Sequence, residues 1–448
     1  MPNTLTLSEA SRQIRAGDLA PMDLLHACLD RIDALEDRVH AWVTLDCEGA
    51  VASARALQEE LRSGHWRGPL HGIPIGIKDI IYTQGLRTTG GSRLLRDFVP
   101  DYDATVVARL REAGAIILGK TVTTEFACFD PAETRNPWNL DHTPGGSSSG
   151  SAAAVACRMC PAALGSQTGG SISRPAAYCG VVGVKPTYGR VSVRGVLQVS
   201  FSLDHVGPLA RSVTDATLVL QAIAGPDAGD PLCLDVPVGD YTESLAKPLK
   251  PPRVGLVRTY FMEQADADMQ DATNRAIDAF RSHGAKVIEV CLPERFDEVH
   301  RMHRLMMYAE AAAYHADRFG RRRGDFGPDI RALIKEGLLL PAVAYADARY
   351  HQLAFRSKMR AAFAKVDLLL TPATPAPAPA GLESTGDPAF NAPWSYAGLP
   401  TGTLPVGVSA GGLPTGVQLI APHLAEADLL AGARWCEAAL GFDGAPQI

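Results

Sequence analysis

Apolar residues near the start of the chain recur at helical spacing. Leu24, Leu25, Cys28, Ile32 and Leu35 share one face, Ser8 offers an N-cap and Pro21 opens a second helix. This pattern predicts helix through residues 5–62. The period then changes: Ile73 to Ile80 is an apolar run bounded by Gly72 and Thr83, as expected of a buried strand. Residues 104–113 return to an amphipathic helical pattern, and Ala115–Leu118 forms a second short apolar run. Further strands are predicted at 253–257, 285–290 and 366–370. Short buried strands alternating with helices predict an α/β sheet.

One polar residue interrupts the first of these strands. Lys78 stands in Ile73-Pro74-Ile75-Gly76-Ile77-Lys78-Asp79-Ile80. Neighbours on a strand point to opposite faces, so Asp79 is not its ion-pair partner. A buried, unpaired ammonium is relieved by losing its proton, and a neutral amine can act as a general base. The alternative is an edge-strand lysine that reaches solvent.

Residues 143–184 differ from the rest of the chain, with Gly, Ser and Ala filling more than half of the positions. From His142 to Leu203 there is no Asp or Glu. Apolar groups such as Ala152–Ala156 and Val181–Val184 are interleaved, which predicts burial rather than a flexible linker. Glycines in a close-packed tract bring backbone N–H donors together, so this is where a site is expected.

Isolated motifs add little. Gly114 to Gly119-Lys120-Thr121 spells a Walker A pattern, but the intervening Ala115-Ile116-Ile117-Leu118 reads as strand rather than as a phosphate-wrapping loop. Gly146-Ser147-Ser148-Ser149-Gly150 spells GxSxG around Ser148, yet a polar, Pro-containing stretch precedes it where a nucleophile elbow needs an apolar strand. Cys157 and Cys160 form a CxxC without a second pair, and read as small buried residues. His300 and His303 read as helix-surface histidines. No metal and no cofactor are expected.

Composition sets broad limits. The 448 residues carry 49 acidic and 43 basic side chains, a formal charge of −6, which argues against a nucleic-acid binder. Residues 1–20 hold Glu9, Arg12, Arg15 and Asp18 where a secretory signal needs an apolar stretch. The long uncharged stretch from Pro388 to Ala425 is broken by prolines and glycines and is no membrane helix. Nine scattered cysteines suit a reducing cytoplasm, so a cytoplasmic protein is expected.

Several motifs in order then resemble the amidase signature family of Ser–Ser–Lys hydrolases. They are Gly72–Asp79, Pro144–Ser151, Thr168–Ile172, Pro175–Gly180 and Gly183–Thr187, followed by Leu399-Pro400, Leu404–Gly407 and Gly412–Gln418. The resemblance implies one large α/β domain spanning residues 1–448, with a central mixed β-sheet covered by helices on both faces. Within it, 1–65 is a helical N-terminal segment, 66–215 the catalytic core, 240–350 a variable pocket region and 366–448 the C-terminal part of the core.

It also implies Ser171 as nucleophile, Ser147 as bridging serine after a cis peptide bond, and Lys78 as base. The oxyanion hole falls to the N–H groups of Thr168, Gly169, Gly170 and Ser171. Gln167, Cys128, Phe390 and Trp394 are the expected substrate-binding residues. Many family members carry Asp in place of Gln167 and Arg in place of Ser173. The Gln167-Thr168-Gly169-Gly170-Ser171 version present here, with Thr385–Asn391 later in the chain, resembles stand-alone bacterial amidases of broad specificity. The sequence therefore predicts a free-standing serine hydrolase of amides, extending to aryl amides, esters or carbamates. Its partners would be small molecules, with no nucleic acid and no membrane, in a monomer or homodimer. Two alternatives are the glutaminase subunit of a tRNA-dependent amidotransferase and, remotely, a P-loop nucleotide binder.

Overall fold

Eleven strands form one mixed sheet in a computed structural model that describes residues 1–246 and 249–448. In chain order they are β1 (Trp42–Leu45), β2 (Pro74–Lys78), β3 (Ile116–Thr121), β4 (Ala162–Gln167), β5 (Val182–Lys185) and β6 (His205–Ala210), then β7 (Arg253–Leu256), β8 (Lys286–Glu289), β9 (Leu368–Pro372), β10 (Thr401–Val408) and β11 (Pro414–Ile420). Their order across the sheet is β1-β3-β2-β4-β6-β5-β10-β11-β9-β7-β8. β2 runs parallel to both β3 and β4, whereas β6 is antiparallel to β4 and to β5. The sheet is flanked by helices, so β2, β3, β4, β6, β9 and β11 are buried along their whole length. Strands covered on both faces read as continuous apolar runs rather than as alternations, which is why several of these were visible in the sequence.

The predicted helix over 5–62 is corrected to three helices, Leu7–Ala16, Pro21–Val39 and Cys47–Arg62, with β1 inserted before the third. His40 takes a left-handed conformation that ends the second helix, and the Glu36 carboxylate accepts the N–H groups of Ala41 and Trp42. The aromatic and β-branched Trp42-Val43-Thr44 then pair with β3. The first N-cap is Thr6 rather than Ser8: its hydroxyl accepts the Glu9 N–H while the Glu9 carboxylate accepts that of Thr6.

The sheet order places the site. β2 lies between β3 and β4, so Lys78, at its end, is fully buried and not an edge residue reaching solvent. The residues of the Walker-like pattern from Ile116 to Thr121 are β3 itself, and Lys120 is buried with its Nζ on Ile81 O and Thr83 Oγ1. No helix among the described residues is long and apolar enough to cross a membrane.

Candidate active site

Lys78 Nζ lies 2.7 Å from Ser147 Oγ and 2.8 Å from Ser166 Oγ. The parallel register opposes Ile77 to Leu164, so the end of β2 reaches Ser166 on β4. Burial pushes the Lys78 amine well below the ordinary lysine range; nearby Asp204 and Cys128 oppose that shift, and Arg174 reinforces it. Ser147 follows a cis peptide bond with Gly146 and precedes the helix Ser149–Ala156. Ser148, the centre of the GxSxG pattern, is spent on structure: its hydroxyl donates to Ser166 O and accepts the Ser166 N–H.

The chain leaving β4 forms the turn Thr168–Ile172. Its carbonyls are tied outward. Thr168 O accepts from His303 Nε2 at 3.0 Å, Gly169 O from Ser395 Oγ at 2.8 Å, and Gly170 O from the Arg174 N–H at 2.8 Å. The N–H groups of Thr168, Gly169, Gly170 and Ser171 have no acceptor among the described residues. A turn with its carbonyls anchored and its N–H groups free can receive a developing oxyanion. Gly170 is required by space, because a Cβ there would lie 2.7 Å from Asn391 Oδ1. The Ser171 hydroxyl has no hydrogen-bond partner among the described residues and lines a cavity of about 710 Å³. Such contacts often tighten only when substrate is bound.

Gln167 sits behind this turn. Its Oε1 accepts the N–H groups of Ile172 and Ser173 at 2.8 and 2.9 Å, and its Nε2 donates to Ser395 Oγ at 3.1 Å. It is fully buried and holds the turn rather than lining the cavity, so its expected place in substrate binding is corrected to one of support. Phe390 and Trp394 are corrected as well. Both are completely buried against Phe261, with ring centroids 5.1 and 5.4 Å away, and do not line the cavity. Aromatics with so much apolar area are drawn into the core, and Tyr260 stands at the wall instead. Cys128 does line the cavity. Residues 240–350 contribute Tyr260, His300, His303, Met307, Tyr308 and Leu333 to its wall.

The histidines are not on a helix surface. His303 is buried with its Nε2–H on Thr168 O, and burial lowers its pKa to about 4. His300 is half-buried and stacks on Tyr260. Among the described residues no group of His, Cys, Asp and Glu is arranged to hold a metal ion.

Asp204 was missed in the sequence, although it is the first acid after the acid-free tract. The antiparallel register pairs Gln167 with His205, which sets Asp204 beside Thr168. Thr168 Oγ1 donates to its carboxylate, as do the N–H groups of Val199 and Ser200. Burial raises its pKa to about 6.

Residues 23–430 match the Amidase family. The chain belongs to the amidase signature family. Native peptide amidase from Stenotrophomonas maltophilia superimposes with a TM-score of 0.86 and 33% identity, over 99% of this chain and 98% of that one. A chain from a vestigial protein complex tied to the evolutionary origins of an s-triazine catabolic enzyme gives a TM-score of 0.91 and 31% identity, over 97% and 98%. This amidase, an enzyme acting on carbon–nitrogen amide bonds, is also 41% identical to the A subunit of glutamyl-tRNA(Gln) amidotransferase from Geobacter sp. strain M21, over 96% of each chain. The corresponding protein of Roseiflexus sp. strain RS-1 is 42% identical, over 95% of this chain and 94% of its own. These relatives overturn the expectation of a free-standing hydrolase of broad specificity. They overturn with it the expected partners: small molecules alone, no nucleic acid, and a monomer or homodimer. The Gln167 and Ser173 departures misled because they bear on how the turn is held, not on what the amidase assembles with.

Proposed function

We propose that this chain is the glutamine-hydrolysing subunit of a tRNA-dependent amidotransferase and works in the cytoplasm. The observation that carries this reading is the near-full-length likeness to amidotransferase relatives, together with the Lys78–Ser147 contact at 2.7 Å. Ser171 Oγ attacks the side-chain amide carbon of glutamine. Its proton passes to Ser147, whose own proton passes to neutral Lys78. The carbonyl oxygen becomes an oxyanion received by the N–H groups of Thr168 to Ser171. As the tetrahedral species collapses, the C–N bond breaks and the relay runs backward to protonate the leaving nitrogen. Ammonia departs toward a partner protein of the complex, where it amidates an acyl group carried on tRNA. Water then attacks the acyl-enzyme through the same relay, releasing glutamate and restoring Ser171.

No histidine or acid is needed in this relay, which fits a tract from His142 to Leu203 without Asp or Glu. The deciding experiment measures ammonia and glutamate formed from glutamine, with the chain alone and with the partner subunits and glutamyl-tRNA added. Glutamine hydrolysis that rises when the partners are added is the expected result. If glutamine is untouched in every combination, the reading fails.

A further inference from the structure

A peptide unit is planar and trans, so its C=O and N–H point in opposite directions and fixing one aims the other. The four N–H groups of the turn therefore take their direction from the carbonyls of the residues just before them. Three of those carbonyls, of Thr168, Gly169 and Gly170, are held by His303, Ser395 and the Arg174 N–H. The fourth is Gln167 O, which shares its peptide with the Thr168 N–H. It accepts from His205 Nδ1 at 3.1 Å.

His205 opens β6, and the antiparallel register sets it opposite Gln167, the last residue of β4. Its ring is buried. A carbonyl can only accept, so Nδ1 carries the proton, and in a neutral imidazole Nε2 is then the acceptor. Lys185 Nζ lies 3.4 Å from Nε2 and also donates to Leu399 O. Tyr188 packs edge-to-face against the ring, with centroids 5.7 Å apart. Burial keeps the ring neutral, and nearby Lys185 and Arg356 reinforce that. His303 works through its other nitrogen: Nε2 carries the proton to Thr168 O at 3.0 Å, which sets the Gly169 N–H. Among the described residues no carboxylate is hydrogen-bonded to either ring, so both face the turn as neutral N–H donors.

We propose that His205 and His303 are positioning residues of amide hydrolysis: by donating to Gln167 O and Thr168 O they turn the Thr168 and Gly169 N–H groups into the cavity, where the oxyanion forms. The inference rests on the reading of this turn as the oxyanion site and holds whichever amide is the substrate. Aligned donors act on the transition state and not on the bound substrate, so their loss falls on kcat.

The two rings use different nitrogens, which gives the test its discrimination. The side-chain nitrogen of Asn falls near the Nδ1 position of a histidine, and that of Gln near Nε2. Each histidine is replaced by Asn, Gln and Leu in the enzyme with its partner subunits. The readouts are kcat and KM for glutamine and the rate at which a fluorophosphonate labels Ser171, a step in which the phosphoryl oxygen gains negative charge at the same place. The Leu variants should lose about 10²-fold in kcat with KM little changed. His205→Asn and His303→Gln should return to within about 10-fold of wild type, whereas His205→Gln and His303→Asn stay near the Leu variants. Labelling rates should follow the same order. If a Leu variant does not fold, Asn against Gln at that position decides by itself. Equal losses for Asn and Gln at either position overturn the proposal, and so does a loss confined to KM or to melting temperature. A wild type that is labelled but leaves glutamine untouched removes the glutaminase reading, and the labelling order still decides this one. Glutamine cleavage by wild type with no such order among the variants removes this proposal alone.

Discussion

Gln167 and Ser395, 228 positions apart in the chain, are joined by a hydrogen bond of 3.1 Å behind the Thr168–Ile172 turn. Ser395 passes the link on to Gly169 O, while Gln167 Oε1 secures the N–H groups of Ile172 and Ser173. One neutral amide thus holds the turn at both ends, where many relatives are expected to use a charged pair. Gln167→Leu leaves two buried N–H donors unpaired, each costing about 1–3 kcal/mol. We expect kcat to fall by about 10²-fold or more with KM little changed, because the donors for the oxyanion lose alignment. Gln167→Glu keeps the acceptor and should lose less. Steady-state kinetics on the two variants will check this, and equal losses would count against the clamp.

Ser171→Ala should lower turnover by about 10⁴-fold or more and abolish covalent labelling by a fluorophosphonate, with thermal stability close to wild type. The measurement is intact-protein mass after probe treatment, alongside ammonia release. Labelling that persists in the variant would move the nucleophile elsewhere.

Lys78 gives a pH signature in stability. Its pKa in the folded chain is depressed well below the ordinary value by burial, whereas in the unfolded chain it is not. Between those two values the unfolded state binds one more proton, so stability rises with pH across that window. The wild-type protein should gain on Lys78→Met by about 1.4 kcal/mol per pH unit within the window. Urea unfolding at about pH 7, 8 and 9 measures the difference. Parallel pH dependence of the two proteins would show that Lys78 stays charged.

Asp204 supplies the opposing charge. Its carboxylate favours the protonated form of Lys78. Asp204→Asn removes that influence, so the acid limb of kcat/KM should move to lower pH. The substitution also weakens the acceptor for Thr168 Oγ1, Val199 N and Ser200 N, so kcat should fall by about 10-fold. A pH–rate profile separates the two effects: a fall in kcat with an unmoved acid limb would limit Asp204 to holding the turn.

The chain by itself determined the local things. Strands buried on both faces are continuous apolar runs, so Ile73–Ile80 and 366–370 were legible, and a lysine inside such a run marked its own significance. The acid-free Gly/Ser tract and the order of its motifs located the Ser147 and Ser171 turns and the family. Tertiary structure decided what lies across the chain from them. The pairing of β4 with β6 brings Asp204 to Thr168, the packing of the helix Val299–Arg322 brings His303 to the Thr168 carbonyl, and the Ser395 segment closes on Gln167. No periodicity encodes these contacts, because each depends on a sheet register and a helix packing set by the whole core. The same holds for Phe390 and Trp394, whose types suit either a core or a pocket wall and whose placement is settled only by what packs against them. Arg174 is the sharpest case. Its position after Ser171 was plain in the sequence, but that its guanidinium meets only neutral acceptors among the described residues is decided in the folded cavity, where charge is costly.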